Sequence, residues 1–281
     1  MTGGSKQVRV IPAWSGWRSL MQAGDLIGQR WPVYLQVMGL WLAISLLLGA
    51  IPAGNLLLLL LAPLLQGGVV LMFDRQLQHG RLHATDLFSM FAHAQRNVLI
   101  MAIMWLLLAM FVVIAVTMMP FAELLQSMQT IRTLEDLQQL ELPPQQLLLL
   151  LAALFAAIAL MSMLWFFAVP RIVFDLLPAG AALIDSLRAC VRNWRALLTF
   201  GMAYLVIVTA AVIMLVMINL LPGLLLGEAA AMAIAELLLA FLTTALQVLN
   251  VGGVYLLWRQ VYPRADADVM PASEDEVRFL A

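Results

Sequence analysis

The stretch "ISLLLGAIPAGNLLLLLLAPLL", residues 44–65, sets two apolar runs on either side of four residues, Pro52-Ala53-Gly54-Asn55. A proline and a glycine this close together stop a helix and reverse the chain. Followed outward, the runs cover 32–51 and 55–73. Each is close to the roughly 20 apolar residues needed to cross about 30 Å of hydrocarbon. The stretch therefore reads as the tip of a transmembrane helical hairpin.

Four further runs of the same kind cover 98–121, 147–169, 196–221 and 230–257, the last two parted by "LPGLLLGE" (221–228). The composition agrees. Of 281 residues, 64% are hydrophobic and only 11% are charged, against roughly 25% charged in soluble domains. No water-soluble globule hides that much apolar surface. The expected fold is all-α: a polytopic membrane protein of six transmembrane helices arranged as three hairpins, each preceded by a short interfacial amphipathic helix. Residues 1–264 form one helical membrane domain, and 265–281 read as a short acidic, disordered tail. No cleaved signal peptide is expected, because the first oily run begins only after Trp31.

Lysine and arginine are retained on the cytoplasmic side of a membrane. Lys6, Arg9, Arg18 and Arg30 precede the first run, and Arg75, Arg81 and Arg96 lie between the second and third. Arg171, Arg188, Arg192 and Arg195 lie between the fourth and fifth, while Arg259, Arg264 and Arg278 follow the sixth. Only Arg132, in the acidic 122–146 loop, falls on the other side. Both termini are thus expected in the cytoplasm, and the protein in a bacterial inner membrane.

Three segments share a helical apolar stripe facing a polar one. Trp17, Leu20, Met21, Gly24, Ile27 and Trp31 oppose Arg18, Gln22, Asp25 and Gln29. Leu87, Met90, Phe91 and Ala94 oppose Asp86, Ser89, His93 and Arg96. Leu187, Cys190, Val191 and Trp194 oppose Asp185, Arg188, Arg192 and Arg195. Such helices lie in the headgroup layer with the apolar stripe down. The ends of the even-numbered runs also match: "GGVVLMFDRQ" (67–76), "GGVYLLWRQ" (252–260) and, more loosely, "AVPRIVFD" (168–175). The pattern is that of a threefold internal repeat, an arrangement compatible with a transporter or with a passive scaffold.

Three stretches carry a resemblance: "GWRSLMQAGDLIGQRW" (16–31), "APLLQGGVVLMFDRQLQHGRLHATDLFSMF" (62–91) and "FFAVPRIVFDLLPAGAALIDSLRACVRNW" (166–194). They are similar to a family of proteobacterial six-helix inner-membrane proteins, which more distantly resembles the membrane region of some glycerophosphodiester phosphodiesterases. The likeness covers about residues 9 to 262, leaving out the 122–146 insert and the tail. It implies a topology and no activity.

Arg188, Arg192 and Arg195 stand on one helical stripe before an oily run. They can serve as snorkelling anchors, or their guanidinium forks can take the phosphate oxygens of a lipid headgroup. Asp175 lies four residues after Arg171, and Asp185 three before Arg188, spacings that predict local ion pairs. Pro170 predicts a kink or helix end. Gly67-Gly68 and Gly252-Gly253 predict close helix approach. His79 and His83 have the spacing of two helical metal ligands, but Gly80 between them argues for a turn. The 18 methionines sit in oily spans and read as packing residues.

Intramembrane polar groups are few: Gln66, Ser162, Asn219, Thr243, Thr244, Gln247, Asn250 and the acid Glu236. Interhelical hydrogen bonding accounts for such groups, and Gln247 and Asn250 are the residues placed best for a solute path. The chain lacks a nucleophile–base pair or a metal cluster, so no enzyme, cofactor or metal is expected. Its single cysteine, Cys190, rules out an intramolecular disulfide. The expected role is a non-enzymatic one, binding membrane lipid (anionic phospholipid at the cytoplasmic face) or a membrane protein partner, with no nucleic acid. The alternative is a small-solute permease.

Overall fold

The computed structural model of the protein describes residues 8–78, 80–92, 95–118, 144–226 and 228–263. The expected tail 265–281 and nearly all of the 122–146 loop fall outside these residues. Among the described residues all regular structure is helical. Helices α1 (Ser15–Gln29), α2 (Trp31–Gly49) and α3 (Gly54–Leu77) are followed by a 3₁₀ helix, Ala84–Ala92. Then come α4 (Gln95–Met118), α5 (Pro144–Phe166), α6 (Ala168–Asp175), α7 (Ala179–Arg192), α8 (Trp194–Leu226) and α9 (Glu228–Val261).

Among the described residues five stretches are long and apolar enough to cross a membrane: Trp31–Gly49, Gly54–Leu77, Leu151–Asp175, Trp194–Ile218 and Met232–Val261. A sixth counts if Ala84–Ala92 and Arg96–Leu108, bent by 89° at their break, form one span. Expected and observed spans coincide at five places, and the third expected span falls on α4.

The Pro52–Asn55 turn forms as its residue types require. Gly54 donates its N–H to the Ile51 carbonyl at 2.9 Å, and Ala53 adopts a left-handed φ of 62°. A side chain at Gly54 would strike the Leu48 carbonyl. Pro170 sits in the first turn of α6, where the missing N–H has no helical partner to lose. The helix accordingly breaks just before it, at Phe167.

The described residues fall into two compact units. One draws on Met1–Ile44, Val69–Asp86 and Ala189–Ala281; the other on Ser45–Gly68 and Leu87–Arg188.

In the first unit, α1 lies across both α8 and α9. At Gly16 the contact is backbone to backbone. A Cβ on Gly16 would fall 2.0 Å from the Ala196 carbonyl oxygen, and one on Gly253 would press on Phe200 and Leu20. Helices α8 and α9 run antiparallel, with Phe200 against Gly253 and the Tyr204 hydroxyl donating to the Leu246 carbonyl at 3.5 Å. Phe73 of α3 packs on Gly252 and on Tyr34 of α2, ring centroids 5.3 Å apart.

In the second unit the Gly67-Gly68 pair plays the part that Gly252-Gly253 plays in the first. A Cβ on Gly68 would lie 1.9 Å from the Leu87 carbonyl oxygen, and one on Gly67 would meet Met90. The 3₁₀ helix suits this seat, since three residues per turn stack Leu87 and Met90 on one edge; both are fully buried. This segment is 3₁₀ where the apolar stripe predicts an α-helix, and Ala94 and His93 of that stripe lie outside the described residues. Helices α4 and α5 meet through Trp105 and Trp165, edge to face at 5.5 Å, and Trp165 donates to Gln66 at 3.2 Å.

The lead-in helices bury a side made mostly of small residues. In α1 the buried side is Ser15, Gly16, Ser19, Leu20 and Ala23, whereas Trp17, Gly24 and Trp31 are exposed. In α7 the buried side includes Ala182, Leu183, Ser186, Ala189 and Cys190, with Val191 and Trp194 outward. Small residues allow helix axes to approach closely and so win the inward position over bulky ones. The large apolar groups are left facing outward, where a membrane protein meets lipid.

Candidate functional site: an arginine and tryptophan surface

The amide of Asn193, almost fully buried at the break between α7 and α8, organises the chain around it. Its Oδ1 accepts the Ile11 N–H at 2.9 Å. Its Nδ2 donates to the carbonyls of Arg9 at 3.2 Å and Ala189 at 3.1 Å. The Arg9 N–H in turn donates to the Val261 carbonyl at 3.0 Å, and the Thr199 hydroxyl donates to the Ala13 carbonyl. Residues 9–13 are thus tied to the start of α8 and the end of α9, which fixes where α1 begins. A buried amide with its donor and acceptor capacity engaged is a rigid element.

What this clamp displays is basic and aromatic. Trp14, Trp17 and Trp194 are each about half exposed (52%, 48% and 54%). The Arg18 guanidinium lies 4.1 Å from the Trp14 ring centroid, and that of Arg195 lies 5.4 Å from Trp194. Both are within cation–π range, so the ring restrains a guanidinium that belongs to an exposed residue. Such pairs suit the membrane–water boundary, where tryptophan is enriched.

The three arginines of the stripe occupy two helices. Arg188 and Arg192 are one turn apart on α7, and Arg195 is in the first turn of α8, past the Asn193 break. All three are exposed, as are Arg9, Arg18, Arg30, Arg81 and Arg96. Among the described residues, none of these eight makes an ion pair.

Four aspartates behave in the opposite way, while Asp25 and Glu236 are exposed. Asp74 accepts from the Tyr255 hydroxyl at 2.5 Å and from Gln78 at 2.9 Å. Asp86 takes Arg75 on one oxygen and the His83 N–H, at 2.9 Å, on the other. Arg171, only 4% exposed, holds both Asp175 and Asp185, the latter at 2.7 Å. The Arg171–Asp175 pair agrees with its i, i+4 spacing. Asp185, by contrast, reaches Arg171 across 14 residues, where spacing pointed to Arg188. The reason is burial: a guanidinium removed from water draws the carboxylates to itself, while Arg188 is solvated and exerts no such demand. Beside this group the Ser186 hydroxyl donates to the Met163 carbonyl at 2.7 Å and accepts the Phe167 N–H at 2.9 Å, bridging the α5–α6 break.

Gln247 and Asn250 lie in α9, both half-buried. Neither side chain has a hydrogen-bond partner among the described residues. Thr243 and Thr244 bond back to carbonyls of their own helix at 2.8 and 2.9 Å, rather than across to a neighbour. Of the histidines, His83 is exposed and gives its backbone N–H to Asp86, while His79 and His93 lie outside the described residues.

Asn193, Ser186 and the Tyr255–Asp74 pair carry the local architecture and were not singled out by spacing. The one sequence signal was "RNW" at 192–194, where an amide interrupts a basic and aromatic pattern at the point a new helix begins. No family model matches the chain, and neither the curated proteins nor the solved structures contain a significant match to it.

Proposed function

We propose that this protein is a non-enzymatic integral membrane protein whose arginine and tryptophan surface binds the headgroups of anionic phospholipid. One observation carries the reading. The net charge of −1 conceals a separation among the described residues, in which Asp74, Asp86, Asp175 and Asp185 are engaged within the protein and eight arginines stay exposed, against two exposed acids, Asp25 and Glu236. A phosphate presents oxygens in the geometry a guanidinium fork accepts. Each basic group near an anionic leaflet contributes about 1 kcal/mol, so several together hold a layer of such lipid. Trp14 and Trp194 supply the apolar body beside Arg18 and Arg195.

The same reading arranges the six apolar segments as three hairpins in a bacterial inner membrane, with both termini and the arginines at the cytoplasmic face. It takes the lead-in segments as a threefold repeat. Its support is the shared seat: Gly67-Gly68 under Leu87 and Met90, Gly253 against Leu20, and Phe167 against Ser186. In each case the end of an even-numbered apolar run holds a lead-in segment.

The test is native mass spectrometry of the protein extracted with its lipids. Wild type is expected to retain anionic phospholipid in preference to zwitterionic. Changing Arg188, Arg192 and Arg195 to Gln should lower that retention, and adding Arg9→Gln and Arg18→Gln should lower it further. Equal retention of both lipid classes by wild type, or no change in the variants, would refute the proposal.

A further inference from the structure

We infer that α9 carries a seam for a second copy of this chain. Thr243, Gln247, Asn250 and Glu236 all belong to the span Met232–Val261. At about 100° per residue they fall within a sector of about 60° on one side of the helix. From Glu236 to Asn250 the stripe is about 21 Å long, against about 30 Å of hydrocarbon. Glu236, Thr243 and Asn250 are spaced seven apart, with Leu239 and Leu246 at the intervening d positions of a heptad.

This side is only partly covered by the contacts of its own unit. Tyr204, Phe200, Leu20 and Phe73 approach α9 at Leu246, Gly252 and Gly253. Glu236, Thr243, Gln247 and Asn250 all stay at least partly exposed. The amides of Gln247 and Asn250 have no protein partner among the described residues, and lipid chains offer them neither donor nor acceptor. Leaving such groups unpaired in hydrocarbon is costly.

The stripe identifies its own occupant. A carboxamide carries a donor and an acceptor, so it is complementary to a copy of itself. Two copies in one membrane share their orientation. A two-fold axis along the membrane normal therefore sets the two α9 helices parallel and in register, Asn250 to Asn250 and Thr243 to Thr243. A single asparagine at an a position is the known register device of parallel helix pairs. Glu236 meets its counterpart at the solvated end of the seam, about 35 Å from Arg259 along the helix, and like charge there weakens the pair.

The test combines two readouts on the full chain in liposomes. Single-cysteine proteins, in a Cys190→Ala background, carry either Thr243→Cys on the stripe or Leu237→Cys, an exposed position about 120° round α9 from Thr243. Mild oxidation should give a disulfide-linked dimer from the first and little from the second. Energy transfer between labelled copies, followed as lipid dilutes protein, should show Asn250→Leu dissociating about 3- to 30-fold more readily. Glu236→Gln should associate more tightly than wild type, a gain that a folding defect cannot mimic. Wild type that stays monomeric at every dilution would overturn the inference. So would equal cross-linking at 237 and 243. An Asn250→Leu protein that associates normally but loses a solute flux would assign the stripe to a solute path and overturn it too.

Discussion

Replacing Arg171 by Gln keeps most of the side-chain volume and removes the charge, which isolates what the buried ion group does. Arg171 is 4% exposed, and Asp175 and Asp185 are 9% and 20% exposed. Breaking a buried pair by removing one partner typically costs about 3–5 kcal/mol, because the other charge is stranded. Two carboxylates are stranded here, but Asp185 retains some access to water. The expected loss for Arg171→Gln is therefore about 3 kcal/mol. If stranded charge is the cause, adding Asp185→Asn should return about 1–2 kcal/mol, since a neutral amide can bond to the new glutamine. The assay is reversible unfolding in mixed micelles, followed by fluorescence of Trp165, whose helix carries the Met163 carbonyl that Ser186 grips. A loss below about 1 kcal/mol for the single variant, or a double variant less stable than the single, would refute the electrostatic account.

Gly68→Ala places a methyl 1.9 Å from the Leu87 carbonyl oxygen. It should destabilise by about 2 kcal/mol or more, whereas Gly67→Ala should cost less because only the Met90 side chain stands in the way; chemical denaturation in micelles ranks the two. Asn193→Ala removes three hydrogen bonds and should cost about 2–3 kcal/mol. Hydrogen exchange at the Ile11 and Arg9 amides should rise sharply while the midsection of α8 stays protected.

Some of this architecture is legible in the chain because it depends on neighbours in sequence. Pro52 to Asn55 must turn, Pro170 must sit where no N–H is required, and 20-residue apolar runs must find lipid. The glycine pairs are likewise legible as points of close approach, although which backbone they admit is not.

Other features depend on partners remote in sequence. Whether Asp185 pairs with Arg188 or Arg171 depends on which arginine is buried, and spacing is silent on that. The side of α1 and α7 that packs on neighbouring helices has a similar origin: the apolar stripe suits the lipid side, and spacing is silent on the side that meets protein. In lipid, bulk is free to face outward and smallness decides contact, so Gly16, Ser19 and Ala23 are inward and Trp17 is not. Asn193 was hidden because its partners, Arg9 and Ile11, are more than 180 residues away.

The central claim, that the arginine and tryptophan surface selects anionic lipid, is tested most directly by quenching with brominated lipids. With Trp31, Trp41, Trp105, Trp165 and Trp258 changed to Phe, only Trp14, Trp17 and Trp194 report. In mixed vesicles, brominated anionic phospholipid should quench these three more strongly than its share of the bilayer dictates. Arg18→Gln with Arg195→Gln should bring the quenching back to that share. Quenching that simply follows bilayer composition in the arginine-bearing protein would contradict the account.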